Sequence, residues 1–183
     1  SSRRDFLHKL FATGTTLGLS PWTLNRMLSQ EQGAGTAMEP GEASMLSTWN
    51  HGVEANAAGM LALQQGGTAM DMVEAGARVV EADATGLSVG LGGLPDRDGF
   101  VTLDACCMNH EGNAGSVCFV QGVLHPLTLA RKVMEDTPHV MLAGAGAEQY
   151  AKELGMGRMD LMTDTSRRAW ETWRKTSDYN PVI

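Results

Sequence analysis

The apolar positions of this chain change period along its length, and each change of period marks an element. Ala43 to Thr48 is a short apolar segment that predicts a first strand, broken by Trp49-Asn50-His51-Gly52. Val53 to Gln65 then has helical spacing and ends at Gly66-Gly67, a C-cap signal. Thr68 with Asp71 three residues on predicts a capping box. Met70, Val73, Ala77 and Val80 follow at steps of three and four, the stripe of an amphipathic helix running to about Ala82.

The pattern then shortens. Gly90, Gly92 and Gly93 punctuate a loop, and Pro95-Asp96-Arg97-Asp98-Gly99 is a turn in which Pro presets one angle, Asp bonds locally and Gly closes it. Phe100 to Met108 reads as a strand, Asn109 to Asn113 as a turn, and Gly115 to Gln121 as the returning strand, so the centre of the chain is a β-hairpin. Pro126 opens another helix, with Leu129, Ala130, Val133 and Met134 on its inner face. Ala147, Tyr150, Ala151 and Leu154 stripe a further helix stopped by Gly155, and Ser166 is placed to cap a last helix carrying Trp170 and Trp173. A polar tail ends in Asn180-Pro181-Val182-Ile183. Helices flank a central hairpin without internal repeats, a mixed α/β layout.

Length and apolar content suit one domain with a real core. The formal net charge of −7 argues against nucleic acid and anionic membrane surfaces as partners, since both need clustered Lys and Arg. The charge is uneven. Before Gln30 the bases Arg3, Arg4, Lys9 and Arg26 face Asp5 alone, and afterwards acids outnumber bases about two to one. Ser2-Arg3-Arg4-Asp5-Phe6-Leu7-His8-Lys9 resembles a twin-arginine export signal, followed from Leu10 to Pro21 by a stretch too short and polar to span a bilayer. Residues 1–29 are therefore read as an export signal, 30–42 as a linker and 43–183 as the main domain, with a periplasmic or secreted destination. An ordinary amphipathic N-terminal helix with a chance Arg-Arg is the alternative.

Cys106 and Cys107 are adjacent and so face opposite sides of a strand, with Cys118 on its partner; three cysteines so placed are no disulfide framework.

Several pieces carry a resemblance. They are Ser47-Thr48-Trp49-Asn50, the Gly92-to-Gly99 turn, Thr102-Leu103-Asp104-Ala105-Cys106, Gly115-Ser116-Val117 and the run from Ala130 to Leu142. In this order and spacing the chain resembles the glycosylasparaginase branch of the N-terminal nucleophile hydrolases, a group that includes isoaspartyl peptidases and plant-type asparaginases. The resemblance implies the first part of a four-layer α-β-β-α sandwich whose C-terminal half would add strands to two stacked sheets. It also implies amide hydrolysis by an N-terminal threonine exposed by self-cleavage. The hydroxyl would attack the side-chain amide of asparagine, the free α-amino group, with a reference pKa near ~8, would serve as base, and nearby donors would hold the oxyanion.

The family's nucleophile motif has the form His-Asp-Thr-Ile/Val-Gly, and this sequence lacks it. Asp136-Thr137 falls in the stretch matched to the non-catalytic half, and Asp164-Thr165 fits a helix cap before Ser166. No residue of the chain is thus expected to be catalytic. The chain is read as the α-subunit portion of a glycosylasparaginase-like amidohydrolase, inactive without a C-terminal β-subunit half and assembling with it as (αβ)2. An isoaspartyl peptidase or L-asparaginase of the same fold, or a truncated non-catalytic fragment, are the alternatives.

Trp49 is the substrate-binding residue that the resemblance implies, an indole wall with one N–H donor beside the nucleophile. A core Trp closing a strand end is the competing reading. His51 is expected at the surface or as a cap, and Asp96, Arg97 and Asp98 as a charged turn with local bonds rather than a site. No cofactor or metal is expected. Val140 to Gly146 imitates the start of a dinucleotide fingerprint, but Gln149 stands where the third glycine belongs. No Gly-Lys-Ser/Thr follows Gly93, and the histidines and cysteines show no zinc-ligand spacing.

Overall fold

The computed structural model describes residues 43–177. The chain divides into two compact units, Ser1–Ser44 and Met45–Ile183. The export signal, the linker and the terminal Asn180-Pro181-Val182-Ile183 lie outside the described residues. All the helices and strands described belong to the second unit.

Helices α1 (Gly52–Gln64) and α2 (Ala69–Glu81) form an antiparallel pair at the start. Two glycines permit their close approach. A Cβ on Gly59 would lie 2.8 Å from the Met72 carbonyl, and one on Gly76 would lie 2.8 Å from the Ala55 carbonyl and 2.7 Å from Met45 Cε. The Met45 side chain is wedged at this crossing, which explains why Ala43 to Thr48 is not the expected strand: Met45 serves α1 and α2, and the segment pairs with no described strand. Between the two helices Gly66 turns the chain at φ 90°, and Thr68 and Asp71 make the expected capping box, with Thr68 N–H donating to Asp71 Oδ2 at 2.7 Å.

The expected stripe of α2 is partly wrong. Met72 and Gly76 are buried while Val73 is 44% exposed, because contact with α1 rather than with the sheet selects the buried side; Met70 and Ala77 pack on the main core from the flank.

The sheet consists of β1 (Thr102–Met108), β2 (Ala114–Gln121) and β3 (Met141–Ala143) in the order β1-β2-β3, with β1 antiparallel and β3 parallel to β2. The hairpin is the one expected. Asn109 Oδ1 accepts the backbone N–H groups of Glu111 and Asn113 at 3.0 Å each, and Gly112 supplies φ 85°. A bulge interrupts the ladder between Leu103 and Ala105, opposite Phe119, whose φ is 54°. Asp104 Oδ1 accepts the freed Phe119 N–H at 2.7 Å.

Helix α3 (Pro126–Asp136) begins with proline as expected, and its Leu129, Ala130 and Val133 are fully buried against Leu103, Cys107, Val117 and Val120 of the sheet. The helix lies so close to β2 that a side chain on Gly115 would strike the Ala130 carbonyl and the Met134 N–H. Helix α4 (Gly144–Glu153) adds Ala147 and Ala151 to the same core.

In α5 (Asp164–Thr176) the N-cap is Thr163, not Ser166. Ser166 is the third helical residue, fully buried, its hydroxyl accepting the Thr163 N–H at 3.0 Å while its own N–H donates to Thr163 Oγ1 at 3.2 Å. Trp170 seats α5 on the Pro95–Gly99 turn: its Nε1 donates to the Arg97 carbonyl at 3.3 Å, a Cβ on Gly99 would meet the ring at 2.9 Å, and Arg174 stacks 4.8 Å from the ring centroid.

The result is a mixed α/β fold whose sheet carries helices on one face. The described residues form one sheet and not two. Cys106 and Met108 of β1 and Met141 of β3 are exposed on its other side, as an α/β fold lacking part of its sheet requires.

Leu129→Ala opens a cavity at a fully buried site and is expected to lower unfolding free energy by about 2–5 kcal/mol. Leu46→Ala, at a residue 95% exposed, is expected to change it by less than about 0.5 kcal/mol. Urea unfolding of both variants checks this, and equal effects would contradict the core assigned to α3.

Candidate functional site

Trp49 stands at the entry to α1 in an unusual backbone state. Its φ is 71°, a left-handed value that bulky side chains rarely adopt, and the residue is 81% exposed. The exposure removes the reading of Trp49 as a core residue. Its carbonyl accepts the Gly52 N–H at 3.1 Å, and Ser47 Oγ donates to Asn56 Oδ1 at 2.6 Å, binding the segment before it to the second turn of α1. Gly52 is required here, since a Cβ would lie 2.7 Å from Ser47 Cβ. His51 occupies the N-cap position, yet its side chain makes no capping bond. The carboxylate of the half-buried Asp83 is held below its ordinary range, chiefly by the Thr85 hydroxyl and N–H, with a small contribution from His51.

The Pro95–Gly99 segment is the locally bonded turn that its residues predict. Asp96 Oδ1 accepts the N–H groups of Asp98 and Phe100 at 2.9 Å each, and Arg97 bridges Asp98 at 3.1 and 3.2 Å. The Arg97 hydrogen bond holds the Asp98 carboxyl below its usual value. The glycine loop before it faces inward. Leu91 N–H donates to the Glu81 carbonyl and Gly92 N–H to the Leu161 carbonyl, both at 2.8 Å. Those amides are thus committed to the fold. At Gly90, with φ 62°, any side chain would strike the Glu81 backbone.

The two Asp-Thr pairs serve helix ends. Thr137 follows α3, and its hydroxyl donates to the Val133 carbonyl at 2.8 Å; Asp164 and Thr165 form the first turn of α5 rather than its cap. Strand β3 does feed Gly144-x-Gly146 into α4, as the pattern predicts, and Gln149 donates to Glu153 at 3.0 Å on that helix. The three cysteines are free thiols; burial raises the pKa of Cys107, and a hydrogen bond to Asp104 raises that of Cys118. Among the described residues no group of three or more His, Cys, Asp and Glu is placed to hold a metal ion, and no helix is long and apolar enough to cross a membrane.

The sequence did not disclose the polar seam between α2 and α3. Glu81, 6% exposed, accepts the Leu127 N–H on one oxygen and faces His125 Nδ1 with the other, both at 3.0 Å. Arg131 bridges Asp71 and Glu74 at 2.7 Å and Glu135 at 2.6 Å, while Thr128 bridges Arg78 and Glu74. Glu135 lies four residues from Arg131, and Asp71 was legible only through its cap with Thr68; the partners across the seam lie more than forty residues apart.

The sequence profile of the family described as asparaginase matches residues 29–182. An N(4)-(beta-N-acetylglucosaminyl)-L-asparaginase from Elizabethkingia miricola is 43% identical over 183 residues, all of this chain and 53% of that protein. A plant-type L-asparaginase from Pyrococcus furiosus is 40% identical over 110 residues, covering 60% of this chain and 36% of that protein. An isoaspartyl peptidase from Salmonella typhimurium is 42% identical over 114 residues, covering 60% of this chain and 36% of that protein. The chain therefore spans about half, or less, of the length of these curated relatives.

The seam sets opposite pH dependences. Asp71, bonded by the Thr68 N–H and hydroxyl and by Arg131, is held down to about 2, so its stabilisation is present above its ordinary value of 3.8 and is lost as pH falls through about 2. Asp71→Asn is expected to cost about 1 kcal/mol at pH 7, typical of a cap with a partly exposed ion pair, and almost nothing at pH 2. Burial raises Glu81 above its ordinary 4.5, against the Leu127 and His125 bonds, so its contribution is present below that value and declines as pH rises. Glu81→Gln should flatten that decline. Urea unfolding from pH 2 to 8 reads both, and an unchanged pH profile in either variant would contradict the assignment.

Proposed function

The chain belongs to the asparaginase family, and from that membership we propose that it supplies the α-subunit portion of an amidohydrolase cleaving the β-amide of N-acetylglucosaminyl-asparagine. The observation that carries the proposal is the 43% identity across the whole of this chain to a relative named for that reaction. The nucleophile would be an N-terminal threonine on a C-terminal half that is not in this chain. Its hydroxyl would attack the amide carbonyl while its α-amino group takes the proton; expulsion of the amine leaves an acyl ester that water hydrolyses to aspartate.

In this reading Trp49 is a wall of the substrate pocket. Its exposure supports that role, because an indole open to solvent offers a flat apolar face to a bound molecule. The open face of the sheet supports a C-terminal half as the partner, since exposed Met108 and Met141 on that side would be covered by further strands. Pairing of such units as (αβ)2, self-cleavage and export to the periplasm or outside the cell belong to the same proposal. The same fold acting as an isoaspartyl peptidase or L-asparaginase is the second reading, favoured by the Salmonella typhimurium and Pyrococcus furiosus relatives.

The test is co-expression of the chain with a C-terminal half bearing His-Asp-Thr-Ile/Val-Gly, and assay of aspartate release from N-acetylglucosaminyl-asparagine, a β-aspartyl dipeptide and asparagine. Highest kcat/KM on the first substrate is expected, and preference for either of the others selects the second reading. Trp49→Phe is expected to lower kcat/KM about tenfold, or about 1.4 kcal/mol. A folded pair that hydrolyses none of the three would sink the proposal.

A further inference from the structure

An exposed aromatic residue at φ 71° needs something other than its own burial to keep it there. Such backbone states are unfavourable for bulky side chains and persist only where the surroundings over-determine them. Two constraints meet at this segment. Downstream, the Trp49 carbonyl accepts the Gly52 N–H at 3.1 Å, which closes the turn onto the first residue of α1. Upstream, Ser47 Oγ donates to Asn56 Oδ1 at 2.6 Å, and the missing side chain of Gly52 lets Ser47 lie against the helix. The two bonds fix the backbone on either side of Trp49, and with it the direction in which the indole leaves the chain.

Asn56 is an odd choice for its position. It is the fifth residue of α1, in a stretch of Ala, Gly, Met and Leu, and asparagine there is a poorer helix former than alanine. Its side chain is turned off the helix to a residue nine positions earlier, in a partly buried setting where the bond is shielded from water. Helix stability alone would favour alanine at this site. Fixing the preceding turn requires an acceptor.

We infer that Ser47 and Asn56 form a brace for the backbone of Trp49, and that Asn56 is a positioning residue acting through Ser47 on the indole. The positioning role rests on reading Trp49 as a wall of the substrate pocket; the brace itself does not. Loosening the brace frees the indole without removing it. The wall would then be ordered by the substrate at the moment of binding, so KM rises while kcat holds.

The test labels the full chain with 5-fluorotryptophan and follows the fluorine spectrum, the Trp49 line being identified by its loss in Trp49→Phe. Asn56→Ala and Ser47→Ala remove the same bond from its two ends, one inside the helix and one outside it. Both are expected to shift and broaden the Trp49 line, leaving those of Trp170 and Trp173 in place. Asn56→Asp keeps an acceptor for the Ser47 hydroxyl and is expected to restore the line. A Trp49 line unmoved in both alanine variants, or moved only together with the lines of α5, overturns the brace. In the enzyme assembled with its C-terminal half, Asn56→Ala is expected to raise KM about tenfold with kcat within about twofold. An unchanged KM overturns the positioning role. A wild-type pair without activity overturns the pocket-wall reading and that role together, and the brace still stands or falls on the fluorine line.

Discussion

The buried carboxylate of Glu81 is where three parts of the fold meet. It lies at the last residue of α2, its side chain accepts the N–H of Leu127 in the first turn of α3, and its backbone carbonyl accepts Leu91 from the glycine loop. Burying a charge this deeply is unfavourable unless it is paired and bonded. His125 and the Leu127 N–H offset part of that cost, and in bonding Glu81 they fix where α3 starts. The start of α3 decides which of its residues meet the sheet, and Leu129, Ala130 and Val133 are the fully buried residues that result. Gly90 completes the junction because only a residue without a side chain fits against the Glu81 backbone. The glycine loop is therefore a packing device. Its amides are bound to Glu81 and Leu161, which removes the phosphate-cradle reading on positive evidence rather than on a missing motif.

How much of this was legible depended on range. The hairpin turn at Asn109 and Gly112, the proline start of α3 and the Thr68–Asp71 box are short-range devices, and the residues named themselves. The stripe of α2 misled at Val73 because two surfaces compete for that helix, and a periodic pattern cannot tell α1 from the sheet. Ser166 was recognised as a capping residue but assigned the wrong end of a reciprocal pair, since Thr163 and Ser166 each bond the other's backbone. The Glu81–His125 contact spans forty-four positions and leaves no periodic trace. The resemblance singled out the Trp49 segment, yet its backbone state was not legible, because no local rule predicts a left-handed tryptophan.

Trp49 and Phe119, the non-glycine residues with left-handed backbones among those described, have much in common. Both are large, aromatic and more than half exposed, and both have a short polar bond beside the strained residue: Ser47 to Asn56 in one case, Phe119 N–H to the Asp104 carboxylate in the other. Strain and exposed apolar area are each unfavourable in an isolated chain, and a sequence free to relax both would do so. Their coincidence on one molecule makes sense if the rings are prepared in advance for something that covers them. Phe119 stands at the bulge of the hairpin, and Met108 and Met141 leave further apolar surface exposed on the sheet. On this view the strained aromatics, each with a polar bond beside it, are places where the fold holds apolar surface open to solvent.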